Sequence, residues 1–494
     1  MNPDLKNTAA LVIFRGVRTL VVLSCTVLLG RIVGPVVLGE YAMLLAAGTL
    51  LHSILLNWSH SAHVRFGREE WVHEGALTAT WAARWPLLVS GTTIAVVLVL
   101  FDPFGWLDRV YNLEGGLRFA ALLPFAALWL AFETQSMLQA EGALGRLAVI
   151  PIIIDGTAVV LLCVALVWRQ SVPAYGVIAG LLSWTTIGWA MLLLLERKHA
   201  CVRWTVPDWS RTRELVAYAW PLVPGFLLGY VSDWGDQILL GYFRSNREVG
   251  LFQVAYQCMT VMIGFAAPVG IVLLTRLIEK SVSESDIGRK YIASVAPTVM
   301  VLWALAVVPV VSIAPLLFPI LMGAEFAGTG DVVAILLASI PAVIVTSTYG
   351  ALFGFQKRLW RSSLLYGGLM SALNVAISLS LMPRFGALGA AIATSVSYLF
   401  VQMCYLVDQH MFYKVGLRRI GVIFFLLALF GLLQAILRAP VARAGLCLLT
   451  LLAIVIVSRR LALLEPAYVR NIFRDRLQGL GTVLLRVGGA IETR

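Results

Sequence analysis

The sequence predicts an all-α polytopic membrane protein of about 14 transmembrane helices, built as two six-helix lobes followed by two C-terminal helices. Three observations point there. Of 494 residues, 60% are hydrophobic and 13% charged, with a mean hydropathy of +0.88, whereas ordinary soluble domains carry roughly 25% charged residues. Apolar windows of about 20 residues tile nearly the whole chain. Between them no polar segment exceeds about 36 residues, which excludes a soluble catalytic domain.

The windows begin near Thr8, Leu38, Thr78, Leu117, Leu147, Tyr175, Leu215, Val249, Tyr291, Asp331, Ser362, Ala387, Ile420 and Val441. Positive charge stays on the cytoplasmic side of short loops. With the N-terminus inside, most of the 38 lysines and arginines fall in cytoplasmic segments, notably Arg197, Lys198, Arg203, Arg211 and Arg213. Both termini are therefore expected in the cytoplasm. The first span has Arg15 and Arg18 early and no small-residue cleavage site after a short apolar core, so it is read as uncleaved.

The net charge of +12 does not indicate nucleic acid, because the basic residues sit at inner helix ends rather than in one patch interleaved with aromatics. The tail after Arg459 alternates Arg470, Arg474 and Arg476 with Phe473, Leu477 and Leu480, which suits either the anionic inner leaflet or a solvated tail. Cys25, Cys163, Cys201, Cys258, Cys404 and Cys447 lie in or beside spans without a zinc-type spacing, and read as packing residues. No cofactor is expected, and no P-loop is present.

A shift of 211 residues superimposes Leu28-Leu29-Gly30 on Leu239-Leu240-Gly241, Leu38-Gly39 on Val249-Gly250, and Thr49 on Thr260. The repeat divides the chain into an N-lobe (1–200), a C-lobe (201–415), an appended helix pair (416–460) and a basic tail (461–494). Copies six spans apart point the same way, so the lobes are parallel repeats, with a substrate site expected between them. In each copy the glycine pair is expected to end one helix and begin the next, using glycine's tolerance of positive φ.

Polar side chains deep in a span face protein or water. Span 1 places Arg15, Arg18, Thr19, Cys25 and Thr26 on one stripe; span 2 does so with Thr49, His52, Ser53, Ser59, His60 and His63. Span 7 aligns Tyr230, Asp233, Asp236 and Gln237, and span 8 Gln253, Tyr256, Gln257 and Thr260. Four such stripes at repeat-related positions predict a wet cavity. Arg15, Arg18, His60, His63 and Arg65 fall in or near its inner third, and arginine's fork of donors suits phosphate. Asp233, Asp236, Gln237, Gln253, Tyr256 and Gln257 can exchange hydrogen bonds with sugar hydroxyls. Alternatively, Arg15 and Arg18 snorkel to headgroups or pair with Glu133 or Asp155. Glu133 and Asp155, as intramembrane carboxylates, are candidates for coupling to a proton or sodium ion.

The segment Leu215–Gln257, with Pro221, Pro224, Asp236, Leu239-Leu240-Gly241, Val249-Gly250 and Ala255-Tyr256, resembles the seventh and eighth helices of Wzx-type polysaccharide flippases. Gly30-Arg31-Ile32-Val33-Gly34-Pro35 with Gly39-Glu40-Tyr41 is similar to their first helical turn-around. Asn374, Met382-Pro383-Arg384-Phe385-Gly386-Ala387-Leu388-Gly389, Thr394 and Ser397-Tyr398 resemble their eleventh-to-twelfth helix junction. The matches run over about residues 8 to 410.

The resemblance implies the multidrug/oligosaccharidyl-lipid/polysaccharide (MOP) exporter superfamily, with two lobes in a V opened alternately to each side of the cytoplasmic (inner) membrane. It implies transfer of an undecaprenyl-diphosphate-linked oligosaccharide to the outer leaflet, with the inner arginines meeting the diphosphate. A polymerase and a chain-length regulator are implied partners. The motifs mark helix turns, not cargo. A small-molecule antiporter of the same fold would instead depend on Asp233, Asp236, Asp155 or Glu133. A membrane-embedded glycosyltransferase would need acids on an external loop, where Asp102, Asp108 and Glu114 stand.

Overall fold

A computed structural model describes residues 3–103, 105–113, 117–167, 175–196, 206–281, 286–339, 361–437, 439–461 and the single positions 349, 352, 356 and 463. Helix covers the start of every sequence window, and no strand occurs among the described residues. The first half comprises α1 (Pro3–Leu55), α2 (Asn57–Glu74), α3 (Thr78–Phe101), the short α4 (Trp106–Tyr111) and α5 (Leu117–Ala120), α6 (Leu122–Glu141), α7 (Leu144–Val167) and α8 (Tyr175–Glu196). Then come α9 (Trp209–Ala219), α10 (Val223–Phe243), α11 (Asn246–Ser281), α12 (Ile287–Lys290), α13 (Ala296–Met322), α14 (Thr329–Ala338), α15 (Gly367–Phe385), α16 (Ala387–Tyr413), α17 (Arg418–Ile436) and α18 (Pro440–Arg460). Nine helical stretches among the described residues are long and apolar enough to cross a membrane, and the chain is a multi-pass membrane protein.

The chain divides into two compact units. The larger comprises Met1–Pro268, Ala314–Leu336 and Trp360–Tyr398; the smaller comprises Val269–Ile313, Leu337–Leu359 and Leu399–Arg494. In the smaller unit polar bonds fasten helices to one another. The Gln434 amide donates to Ser312 Oγ at 3.0 Å, the Gln356 amide to Gln409 Oε1 at 2.8 Å, and Tyr349 Oη and His410 Nε2 lie 3.1 Å apart.

In the larger unit the repeat acquires a physical meaning, and one expectation about it is corrected. Gly30, Gly39, Gly241 and Gly250 are all helical, and positive φ occurs instead at Gly34 (75°), followed by Pro35, at the corner between the first two spans. Proline removes a helix donor and disfavours helix in the residue before it, so the corner falls there.

The repeat glycines serve close approach. A Cβ on Gly39 would come 1.7 Å from the Asn246 carbonyl oxygen, and one on Gly250 1.9 Å from that of Pro35. Positions 35 and 246, like 39 and 250, are 211 residues apart. The two copies thus grip each other reciprocally, as a local two-fold relation requires.

The third motif forms a similar corner. Gly386, at φ 57°, separates α15 from α16, and Glu248 of α11 accepts the Ala387 N–H at 2.8 Å. At the other end of the repeat, Asp208 caps α9 by accepting the N–H groups of Ser210 (3.0 Å) and Arg211 (3.1 Å). Helix α9 then packs Leu215 and Ala219 against Ala62 of α2 and Ala83 of α3. Thr212 Oγ1 donates to the Ala83 carbonyl at 2.7 Å.

Candidate functional site

Three polar constellations lie in the larger unit, each built by a different pairing of helices. The first fills the contact of α2, α3 and α6. Helix α2 ends at Gly75 in the left-handed conformation. Its Glu70 reaches forward to accept the N–H groups of Ala79 and Thr80, each at 2.7 Å. That reversal sets α3 against α2 so that Arg84 faces Ser59, His60 and His63, which share one face at helical spacing. Arg84 donates to both oxygens of Glu133, at 2.7 and 2.9 Å, in a planar bidentate pair.

The imidazoles close around that pair. His63 Nδ1 lies 3.0 Å from Glu133 Oε1 and touches Arg84 Nη1, and His60 Nδ1 lies 3.5 Å from Glu133 Oε2. His52 stacks on His60, with Phe132 against both rings. The side chains of Arg84 and Glu133 are 0% and 1% exposed, and His52, His60 and His63 are buried.

The second constellation is a cavity of about 490 Å³ walled by α1, α6, α7, α8 and α11. Arg18 Nε donates to Asp155 Oδ2 at 2.8 Å across it. These side chains remain 46% and 22% exposed, so the pair is wet where the first is dry. Gln135, Ser183, Thr185, Thr186, Gln253 and Gln257 supply neutral polar lining. Gln253 Oε1 is buried without a hydrogen-bond partner among the described residues. Arginine, amides and hydroxyls around such a volume can hold a phosphate and, beside it, hydroxylated groups.

The third constellation surrounds Asp236 of α10. Its carboxylate accepts from the Asn374 amide at 3.1 Å, from Ser378 Oγ at 2.8 Å, and from Thr394 Oγ1. All these donors are neutral and the group is buried. One amide N–H and two hydroxyls thus satisfy the buried carboxylate and tie α10 to α15 and α16. No group of three or more histidine, cysteine or acidic side chains suited to a metal ion occurs among the described residues.

These positions redistribute the residues singled out in the sequence. Arg18 lines the cavity, but His60 and His63 belong to the Arg84–Glu133 contact, and Arg65 pairs with Glu69 at 3.0 Å on an exposed surface. The inner cationic group of the sequence analysis is therefore not one cluster. A polar stripe can be satisfied by a polar side chain of a neighbouring helix as well as by water, and Arg84 does this for α2. The Arg15 side chain, Cys201 and Glu114 lie outside the described residues, as does the tail beyond Leu463.

Gln253 and Gln257 line the cavity, whereas Asp236 and Gln237 are buried, and Asp233 accepts from Tyr256 Oη at 3.1 Å. Asp102, on the connection after α3, receives the Leu107 N–H at 3.2 Å and shapes the start of α4. The sequence reading did not single out Arg84, Gln135 or Ser378. Arg84, an arginine inside an apolar window, carried a usable signal; Gln135 and Ser378 carried none, since one amide or hydroxyl in a span is commonplace.

The described helices make a multi-pass membrane protein whose larger unit holds a cavity with polar side chains in its wall. Residues 5–274, more than half of the chain, match the family described as polysaccharide biosynthesis protein, and the chain belongs to that family. Among solved structures, lipid II flippase MurJ in an inward closed conformation is similar over 93% of this chain and 100% of that one, with a TM-score of 0.68 at 14% identity.

A MOP superfamily transporter from Pyrococcus furiosus Vc1 matches over 83% of this chain and 96% of its own, with a TM-score of 0.54 at 14% identity. An inward-facing multidrug resistance MATE family transporter of the same superfamily matches over 82% and 94%, with a TM-score of 0.51 at 13% identity. No curated protein matches the chain. At such identities the likeness is one of fold. The flippase and the two transporters share this chain's fold.

Proposed function

We propose that this protein moves an undecaprenyl-diphosphate-linked oligosaccharide from the cytoplasmic to the outer leaflet of the inner membrane by alternating access. The observation that carries the reading is Arg18 standing, with Asp155, in a cavity whose largely apolar wall also presents amides and hydroxyls. Arg18, with Arg15 on the same helix, receives the diphosphate. The glycan passes over neutral polar groups such as Gln253 and Gln257, and the polyprenyl tail stays in the bilayer. The lobes 1–200 and 201–415 are the moving bodies, and both termini are cytoplasmic. Coupling is to a proton or sodium ion, with Glu133 and Asp155 as the sequence candidates. A polysaccharide polymerase and a chain-length regulator are the partners this cargo requires downstream.

Mass spectrometry of lipid extracts, with surface glycan quantified in parallel, tests the reading in cells lacking the protein and in complemented cells. Accumulated diphosphate-linked oligosaccharide with lost surface glycan is the expected result. Unchanged lipid intermediates and normal glycan, in cells shown to contain no second flippase, would redirect the assignment to small-molecule export. Complementation with the Arg15→Ala, Arg18→Ala double variant should fail at undiminished protein abundance. Full transport by that variant would remove the diphosphate assignment.

A further inference from the structure

Within that reading, we propose that Asp155 determines which anions reach Arg18: it is an internal competitor that keeps the guanidinium from the single phosphates of bulk phospholipid and yields it to a diphosphate. The geometry fits displacement. Asp155 holds Arg18 through one hydrogen bond, from Nε at 2.8 Å, in a contact that is partly open to the cavity. Among the described residues that line the cavity no other side chain is charged, so the Arg18–Asp155 pair brings no net charge to it. An anion that takes the Nε edge of Arg18 must separate the pair, and one held by the remaining guanidinium donors lies beside the Asp155 carboxylate, so either meets its negative charge.

That penalty is common to every anion, so it works as a threshold. A phospholipid phosphate offers one negative centre and is held in place by its own neighbours. A diphosphate offers two linked phosphates whose oxygens can engage the planar fork in parallel. Rejecting abundant competitors by building repulsion against them is a recognised route to specificity. Among the described residues, Cys25 and Tyr41 of α1 are the other titratable groups lining the cavity, while α6, α8 and α11 present amides, hydroxyls and apolar side chains.

The test measures binding of geranylgeranyl diphosphate to the purified full chain in nanodiscs of phosphatidylcholine, alone or mixed with phosphatidylglycerol. Wild type should bind in both bilayers with nearly equal affinity, and Arg18→Gln should bind at least tenfold more weakly. Asp155→Asn should bind about tenfold tighter than wild type in phosphatidylcholine and lose that gain when phosphatidylglycerol is present. Asp155→Ser should follow the same order.

Equal or weaker binding by both Asp155 variants in phosphatidylcholine would overturn the proposal and make Asp155 a residue that positions Arg18. A gain that survives phosphatidylglycerol would also overturn it, since the carboxylate would then exclude no phospholipid. Either result leaves the diphosphate reading intact, provided binding still depends on Arg18. Absent binding, or binding untouched by Arg18→Gln, defeats the diphosphate reading and the threshold with it.

Discussion

Arg84–Glu133 and Arg18–Asp155 are the same two functional groups placed in different surroundings. The first is bidentate, flanked by His60 and His63 and closed to solvent, and the second is a single hydrogen bond in an open cavity. Desolvated ions are costly, so a dry pair persists only when each charge finds its full complement of partners. Removing one partner there strands the other. A half-exposed pair pays little desolvation and gains little attraction, so water or a ligand can replace either partner. Burial thus separates a pair that holds helices together from a pair that is available to cargo.

The contrast can be broken experimentally. Replacing Arg84 by Met should destabilise the protein by about 3–5 kcal/mol, because Glu133 is left charged and dry. Denaturant unfolding in detergent reads that loss, and the Arg84→Met, Glu133→Leu double variant should recover most of it. If Arg84→Met is as mild as a cavity substitution, the distinction between dry and wet pairs fails.

A dry contact without charge supplies the next comparison. Gly39→Ala or Gly250→Ala drives a Cβ into a carbonyl oxygen of the other repeat copy. Each should cost about 1–3 kcal/mol. Because the contact is reciprocal, the two losses should be alike. A large cost at one position and none at the other would mean that the two copies do not share the load.

At the wet pair, Asp155→Asn should change stability by less than about 1 kcal/mol by the same unfolding measurement. A loss as large as that of Arg84→Met would make Asp155 structural. The smallest effect is expected outside the membrane, at Asp208. The Ser210 hydroxyl, then the Arg211 and Ser210 N–H groups, hold its carboxyl below its ordinary value of 3.8.

A carboxyl depressed in the folded state contributes stability above its unfolded value and loses it as pH falls through the folded one. Amide exchange at Ser210 and Arg211, corrected for the intrinsic pH dependence, should therefore quicken as pH falls below about 3.8. In Asp208→Ala it should be fast at every pH. A pH-independent rate in the wild-type chain would exclude this cap.

The apolar windows, the Gly386 junction and the existence of a turn between Gly30 and Gly39 could be read from the sequence because their causes are local, although the corner itself falls at Gly34-Pro35. A bilayer demands a fixed length of apolar helix, and glycine and proline act on their own backbone. The family was legible for the same reason, since its motifs are helix turns. The use of the repeat glycines was not legible. Gly39 needs space against Asn246, far away in sequence, and a glycine chosen for space looks the same as one chosen for φ.

The polar stripes were visible, but what each one faces was decided only when helices packed. His60 and Arg18 carry the same kind of signal in a sequence, a polar side chain in an apolar window. One faces Arg84 and Glu133, the other a cavity and Asp155. By itself the sequence determined where the chain is helical, which residues are too polar for lipid and which family it joins, because backbone preference and the cost of polarity in hydrocarbon act residue by residue. Only the tertiary structure decided which carboxylate meets which arginine, and whether water reaches them, because a charge's partner and its solvent are properties of the packed neighbourhood rather than of the residue.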